Sequence, residues 1–377
     1  MSADPAASGQ TPLAVKLAAR IKQEGPLSVA EYMDACLHDP EHGYYRKSAA
    51  IGRTGDFITA PEISQIFGEL IGLWCAVVWQ QMGAPSSLRL VELGPGRGTL
   101  MRDALRAGRA DPAFRAALDV HLIESNAPLA EVQRATLAAA DVPIRWSSDL
   151  DAKTGSAPAI VIANEFLDTL PVAQWIYRGS QWHARCVGLD DAGRFFYTTG
   201  GPDPGLQVPP SIMPPFRAGD ILESRTPAVA AWAAKLAALG APVAALFVDY
   251  GHPVPALGDT LQAVFAHHYD DPLRAPGEAD LTAQVDFPAV ATEMGRHGLI
   301  CDGPIPQAQF LAALGIVERA SRLMAANPRR AAEIETAVAR LIAPGGMGTR
   351  FWALGVRSKG VEPLPGFEPV DIAAPAP

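Results

Sequence analysis

The chain has 377 residues and a net charge of −9, with 49% hydrophobic and 19% charged residues. That length suits one large domain or two ordinary ones with a sizeable packed core. The acidic balance argues against nucleic acid bound through phosphate neutralisation and against docking on an anionic membrane.

The first ten residues, MSADPAASGQ, lack the basic and apolar regions of a secretory signal and the arginines of a mitochondrial presequence. No apolar stretch of membrane-spanning length is free of charges or breakers, so a cytoplasmic protein without a membrane span is expected. Cys36, Cys75, Cys186 and Cys301 are far apart and form no C-x-x-C. That spacing speaks against a zinc cage or a disulfide framework and fits a reducing compartment.

Residues 12–38 read as two helical pieces separated by Gly25-Pro26-Leu27-Ser28, with Ser28 and Glu31 at capping-box spacing. Two loops follow, H-D-P-E-H-G-Y-Y-R (38–46) and I-G-R-T-G-D-F-I-T-A-P-E-I-S (51–64). Between Ser64 and Met82 the apolar residues fall at helical spacing. From residue 88 short apolar runs alternate with helical stretches. Strands are expected at 88–93, 119–124, 143–146 and 159–163, with helices at 100–107 and 127–139. This alternation predicts a doubly wound, mostly parallel sheet covered on both faces.

Residues 172–216 break the rhythm and read as inserted β-hairpins. A helix at 226–239 and a strand at 243–250 restore it. A loop-rich insertion at 251–284 precedes a helix (287–296), a strand (299–302), a helical stretch at about 306–343 and a last strand (350–357). The expected organisation is an N-terminal helical cap (1–85), a core (86–357) with insertions at about 172–216, 251–284 and 303–345, and an extended tail (358–377).

The segment V-E-L-G-P-G-R-G-T-L (91–100) places Gly94, Pro95, Gly96, Gly98 and Thr99 between a strand and a helix. Glycines there let the backbone approach a ligand at the carboxyl ends of the strands. The spacing is G-x-G-x-G, not the G-x-G-x-x-G of dinucleotide sites. Glu92, two residues before the loop, would repel a pyrophosphate and suits a cation. S-adenosyl-L-methionine, a cationic nucleoside without phosphate, fits best; a dinucleotide and a purely structural turn are the alternatives. Glu124, in H-L-I-E-S with Ser125, ends the second strand, where a carboxylate can accept both ribose hydroxyls. Asp149 and Leu150 follow the third strand, at the usual place for adenine contacts.

After the fourth strand comes A-N-E-F-L-D-T-L-P (163–171). Glu165 and Asp168, with Glu62 from A-P-E-I-S, could orient a planar guanidinium and localise its charge, and Asn164, which offers an amide carbonyl, is expected on the cofactor. The bland alternative makes Asp168 a local cap and leaves Glu165 exposed. His252 reads as a local hydrogen-bonding residue. His267-His268-Tyr269-Asp270 has no partner cluster, so no metal is expected.

H-D-P-E-H-G-Y-Y, G-D-F-I-T-A-P-E-I-S-Q-I-F-G-E-L-I-G-L-W, V-E-L-G-P-G-R-G-T-L, A-N-E-F-L-D-T-L-P, D-Y-G-H and A-P-G-E-A-D-L-T-A-Q-V-D-F occur here in that order. Over roughly residues 12–357 the chain resembles the MidA-like family, whose mitochondrial members are arginine methyltransferases that assist assembly of respiratory complex I. The resemblance implies a class I, seven-stranded S-adenosyl-L-methionine-dependent methyltransferase fold. It implies a protein substrate, in mitochondrial members the large quinone-site subunit, which receives symmetric dimethylarginine. It places the glycines on the cofactor, Glu124 on the ribose, and Asn164–Asp168 and the turn with Thr59, Pro61 and Gln65 beside the transferred methyl. Ala60 stands where serine is frequent, and Leu167 where an aromatic residue can occur. The reading for this chain is a bacterial arginine methyltransferase whose insertions form a protein-docking surface or a homodimer contact. The rivals are a non-catalytic assembly factor that binds the cofactor and a small-molecule methyltransferase.

Overall fold

The computed structural model describes residues 11–46, 59–151, 157–240, 242–265 and 268–368. The first ten residues, the 51–64 loop before Thr59, His267 and the end of the expected tail lie outside the described residues.

Among the described residues seven strands make the central path of the sheet, β1 (Leu88–Leu93), β2 (Leu118–Ile123), β3 (Ile144–Ser147), β4 (Ala159–Asn164), β5 (Val243–His252), β6 (Ile300–Pro306) and β7 (Phe351–Arg357), and the two-residue strand Val285–Asp286 pairs with the end of β5. Their order is β6-β7-β5-β4-β1-β2-β3. Neighbours from β3 through β5 pair in parallel, whereas β7 runs antiparallel to both β5 and β6. The order reverses between β1 and β4. Ligands of open α/β sheets bind outside the carboxyl ends of the strands at such a reversal.

Strands buried on both faces read as continuous apolar runs, but successive side chains still point to opposite faces. In β1, Leu90 shares one core with α3 (Ala60–Ile63), α4 (Gln65–Gln81) and α5 (Thr99–Ala107) and with the helices between Gln307 and Ile342. Val91 packs on the other face, with the helices Thr226–Ala238 and Phe287–Arg296. Two glycines set how closely α4 approaches α5. A Cβ built on Gly72 would lie 2.4 Å from the Ala104 carbonyl oxygen, and one on Gly68 2.8 Å from Asp103 Cβ. Although α4 was expected in the cap, it packs within the core sandwich.

A third core joins the N-terminal helices α1 (Pro12–Glu24) and α2 (Val29–His38) to the two insertions, with Leu13, Tyr32, Val187 and Leu281 buried together. Ser28 and Glu31 form the expected capping box on α2. Just before it, Leu27 and Ser28 pair antiparallel with Val187 and Cys186 of the first insertion. That insertion contributes strands Ala173–Arg178, Gln181–Leu189, Phe195–Pro202 and Ile221–Ser224.

The second insertion differs from the expected loop. Gln262–Phe265, His268–Asp270 and Asp280–Thr282 form a three-stranded antiparallel sheet. Strands of three or four residues are too short to show a period. No helix of the described residues is long and apolar enough to cross a membrane.

Replacing Gly72 by alanine should destabilise the fold. Better helix propensity would contribute about 1 kcal/mol, while forcing a methyl into backbone contact costs about 1–3 kcal/mol or more. Urea unfolding should show a lower midpoint; an unchanged midpoint would mean that α4 and α5 are not held at this distance.

Candidate active site

At the reversal, the chain leaves β1 through Gly94–Gly98 and leaves β4 through Asn164–Asp168. A cleft of about 800 Å³, counting the open space at its mouth, lies between them. Gly94, Gly96 and Gly98 have φ of +59°, +53° and +78°. This left-handed conformation is readily adopted only by glycine. A Cβ on Gly94 would also meet the Phe166 ring at 3.2 Å. The loop's first and third glycines therefore serve different ends. Gly94 clears the cleft, whereas Gly98 caps α5 with its back to Gln133 and Leu137.

Glu92, Gly94, Pro95, Gly96 and Thr99 line the cleft, as do Asn164, Glu165 and Asp168 and the turn residues Thr59, Pro61 and Glu62. Glu124 and Ser125 sit beyond this lining, at the end of β2. Glu124 accepts from Asn126 N at 2.7 Å and from Gln133 Nε2 at 3.0 Å, and Gln133 also donates to the Gly96 carbonyl. Gln133 thereby ties the glycine loop to the expected ribose acid. The Ser125 carbonyl accepts from Arg46. Asp149 pairs with Lys235 at 2.5 Å, and Leu150 is buried in the core. Gln65 does not line the cleft. It donates to Glu69 and borders a separate surface groove with Leu323, Arg330 and Ile334.

The Asn164–Asp168 turn is held from beneath. Asp249, near the end of β5, is 1% exposed. Its Oδ2 accepts the backbone N–H groups of Phe166 (3.0 Å), Leu167 (2.8 Å) and Asp168 (3.2 Å), and its Oδ1 accepts from Tyr250 N. Buried Arg225 adds a second anchor, donating to the carbonyls of Asp168 and Leu170 and, across the gap, of Ala283 and Gln284. Held this way, Glu165 adopts φ +51°, a conformation uncommon for a residue with a side chain and frequent at functional sites. Its carboxylate accepts from Ala60 N and Asn164 Nδ2, both at 3.2 Å. The Glu62 carboxylate accepts from Thr99 Oγ1 at 2.5 Å.

These acids are charged at a cost. Burial, then the neighbouring Asp168 charge, pushes Glu165 up to about 8. Burial raises Asp168 to about 6, against the pull of the Tyr250 hydroxyl and Arg225. Asp249 is raised by burial and by both of these acids, while its N–H donors favour the charged form. On the glycine side, burial alone lifts Glu92 to about 8. Its Oε2 and Asp168 Oδ1 are buried with no hydrogen-bond partner among the described residues. Buried polar atoms without partners are rare and call for a ligand group. A cationic nucleoside fits here: the glycines admit its backbone-close edge, Glu92 faces a positive charge, and Glu124 retains acceptor capacity for hydroxyls. Among the described residues no group of His, Cys, Asp and Glu could hold a metal ion.

The residues missed in sequence are Asp249, Tyr250, Tyr45 and Asp280, the last three lining the cleft. Asp249 had a signal, since it stands at the carboxyl end of a parallel strand, like Glu92 and Glu124. Tyr45 and Asp280 come from the cap and the second insertion, where no topological rule points.

Sheet order, cleft and donor set define a class I S-adenosyl-L-methionine-dependent methyltransferase. A family described as "Putative S-adenosyl-L-methionine-dependent methyltransferase" matches residues 70–305. The protein arginine methyltransferase NDUFAF7 of Danio rerio mitochondria is 36% identical, over 89% of this chain and 84% of the relative. Its Homo sapiens counterpart is 34% identical, over 92% and 84%. A Burkholderia thailandensis protein crystallised with S-adenosyl-homocysteine superposes with a TM-score of 0.81 at 26% identity, covering 97% of this chain and 96% of the other. The chain belongs to the MidA-like family of S-adenosyl-L-methionine-dependent methyltransferases.

Two outcomes test the cofactor half. Gly96→Val adds left-handed strain of about 1–2 kcal/mol and a side chain in the cleft. It should abolish S-adenosyl-L-methionine binding by calorimetry while cooperative unfolding persists; retained binding would remove the loop from the site. Because burial keeps Glu92 protonated below about 8, a cationic ligand must expel that proton. Affinity should therefore rise between about pH 6 and 7.5, by several-fold and at most tenfold per pH unit. Glu92→Gln should flatten this slope.

Proposed function

We propose that the protein transfers methyl groups to arginine side chains of a protein substrate. The observation that carries the reading is the pair of carboxyl groups, half-buried Glu165 and buried Asp168, on one turn at the cleft, both lifted by loss of water. Curated relatives at 34–36% identity are named protein arginine methyltransferases, which supports the same acceptor here.

A guanidinium is permanently cationic, with its donors fixed in a plane. Entering the cleft, it would displace the proton on Glu165 and pair with two carboxylates. Their charge draws the positive charge toward the facing nitrogens and leaves the remaining nitrogen's electron pair available. The bound cofactor supplies an electrophilic methyl group on a sulfonium. Transfer breaks the carbon–sulfur bond, forms a carbon–nitrogen bond and leaves a surplus proton. Glu165, with its value near neutrality, is the group we assign to receive it. Asn164 and Ala60 N steady the Glu165 carboxylate through these changes. Symmetric dimethylation of a respiratory complex I subunit is the finer form of the proposal and rests on the family resemblance.

The test combines labelled S-adenosyl-L-methionine with lysate of cells lacking the protein. After acid hydrolysis, the wild type should place label in methylated arginine. Glu165→Gln should lower that rate about 100-fold or more, as removal of one preorganised electrostatic group does elsewhere, while cofactor affinity changes less than about threefold. Label confined to small molecules would replace the proposal with a metabolite methyltransferase.

A further inference from the structure

A second element lines the same cleft as the Asn164–Asp168 turn. Asp280 opens the short strand Asp280–Thr282 and lines the cleft with Thr282, Tyr45 and Tyr250. It belongs to the second insertion, whereas Glu165 and Asp168 belong to the turn after β4. Asp280 is 8% exposed, and Tyr45 donates its hydroxyl to Asp280 Oδ1 at 2.9 Å. Tyr45 is fixed in turn, since Asn126 Nδ2 donates to its carbonyl and its ring stacks at a tilt with His38 and edge-on with Tyr44. In the same cleft, Asp168 Oδ1 is buried without a partner among the described residues. Tyr250, the hydrogen-bond partner of Asp168, also contacts Thr282. Two carboxylates from different elements thus share one cleft, each held by a tyrosine.

A guanidinium presents five N–H donors along the edges of a plane, so carboxylates on one edge leave the opposite donors unmet. An ammonium is a compact centre with three donors and no planar fork to share among carboxylates from two elements. We infer that Asp280, oriented by Tyr45, is a substrate-binding residue: it accepts the N–H groups on the guanidinium edge that Glu165 and Asp168 do not face, and so selects arginine over lysine. This rests on the arginine reading above. Asp280 acts on acceptor binding, and Tyr45 is a positioning residue that acts through it.

The experiment uses the full chain, labelled S-adenosyl-L-methionine and a dilution series of lysate from cells lacking the protein. Asp280→Asn should raise the half-saturating lysate concentration about tenfold, the loss expected for one charge-assisted hydrogen bond. The maximal rate and the half-saturating cofactor concentration should stay within about threefold, a split that a merely structural role would not produce. Tyr45→Phe keeps the carboxylate and should give a smaller rise, about threefold, on the same axis. It carries the test if Asp280→Asn fails to unfold cooperatively. Unchanged half-saturation by lysate in the variant that folds, or an equal loss of cofactor affinity, would overturn the inference while leaving the arginine reading intact. Wild-type protein that labels no methylarginine would overturn the arginine reading, and this inference with it.

Discussion

One carboxylate oxygen organises the site. Asp249 Oδ2 gathers three successive backbone N–H groups from the turn that follows β4. Burying a carboxylate costs several kcal/mol, and hydrogen bonds to a charged group return about 1.5–3 kcal/mol each. Three such bonds on Oδ2 and a fourth on Oδ1 offset part of that cost, and burial still holds Asp249 above the usual carboxylate range. The turn thereby becomes a rigid part of the sheet. β4 and β5 are neighbours, with Val248 in register with Asn164, so the anchoring acid and the turn it holds are fixed by the same ladder.

That anchor explains how acids can crowd at one point. Glu165 and Asp168 would spread apart if the chain were free, because each charge disfavours the other. The backbone bonds to Asp249 and Arg225 prevent it, and burial, joined at Glu165 by the Asp168 charge, raises the pKa values of both acids. A pocket in this state is tuned for cations. The same logic holds on the glycine side, where Glu92 lacks any countercharge of its own among the causes of its shift. Under the proposed reading one half of the cleft would take the sulfonium nucleoside and the other the cationic acceptor.

Much of this was legible in the sequence. β1 and the helix Phe287–Arg296 fall where the pattern placed them, because apolar runs and caps are local signals. The order of motifs carried the family and its cofactor. What stayed hidden depends on distance in the chain. The three-stranded sheet of the second insertion has strands too short for a period. The positive φ of Glu165 is imposed by Asp249, 84 positions on. Tyr45 meets Asp280 across 235 positions, and nothing in either neighbourhood announces the other. Gln65, adjacent in sequence to cleft residues, faces away because α4 starts there and turns its first residue toward Glu69.

The strand Leu27–Ser28 adds to a partner 160 positions later, and Thr11 bonds the Pro276 carbonyl 265 positions away. During synthesis α1 and α2 therefore meet all the partners they pack on only after some 265 further residues have been made. Domains usually fold in the order they are made, and distant pairings close slowly. Here the opening helices must wait as an amphipathic, unseated segment while the sheet they will cover is completed. Docking of these helices brings Tyr45 to the cleft and against Asp280.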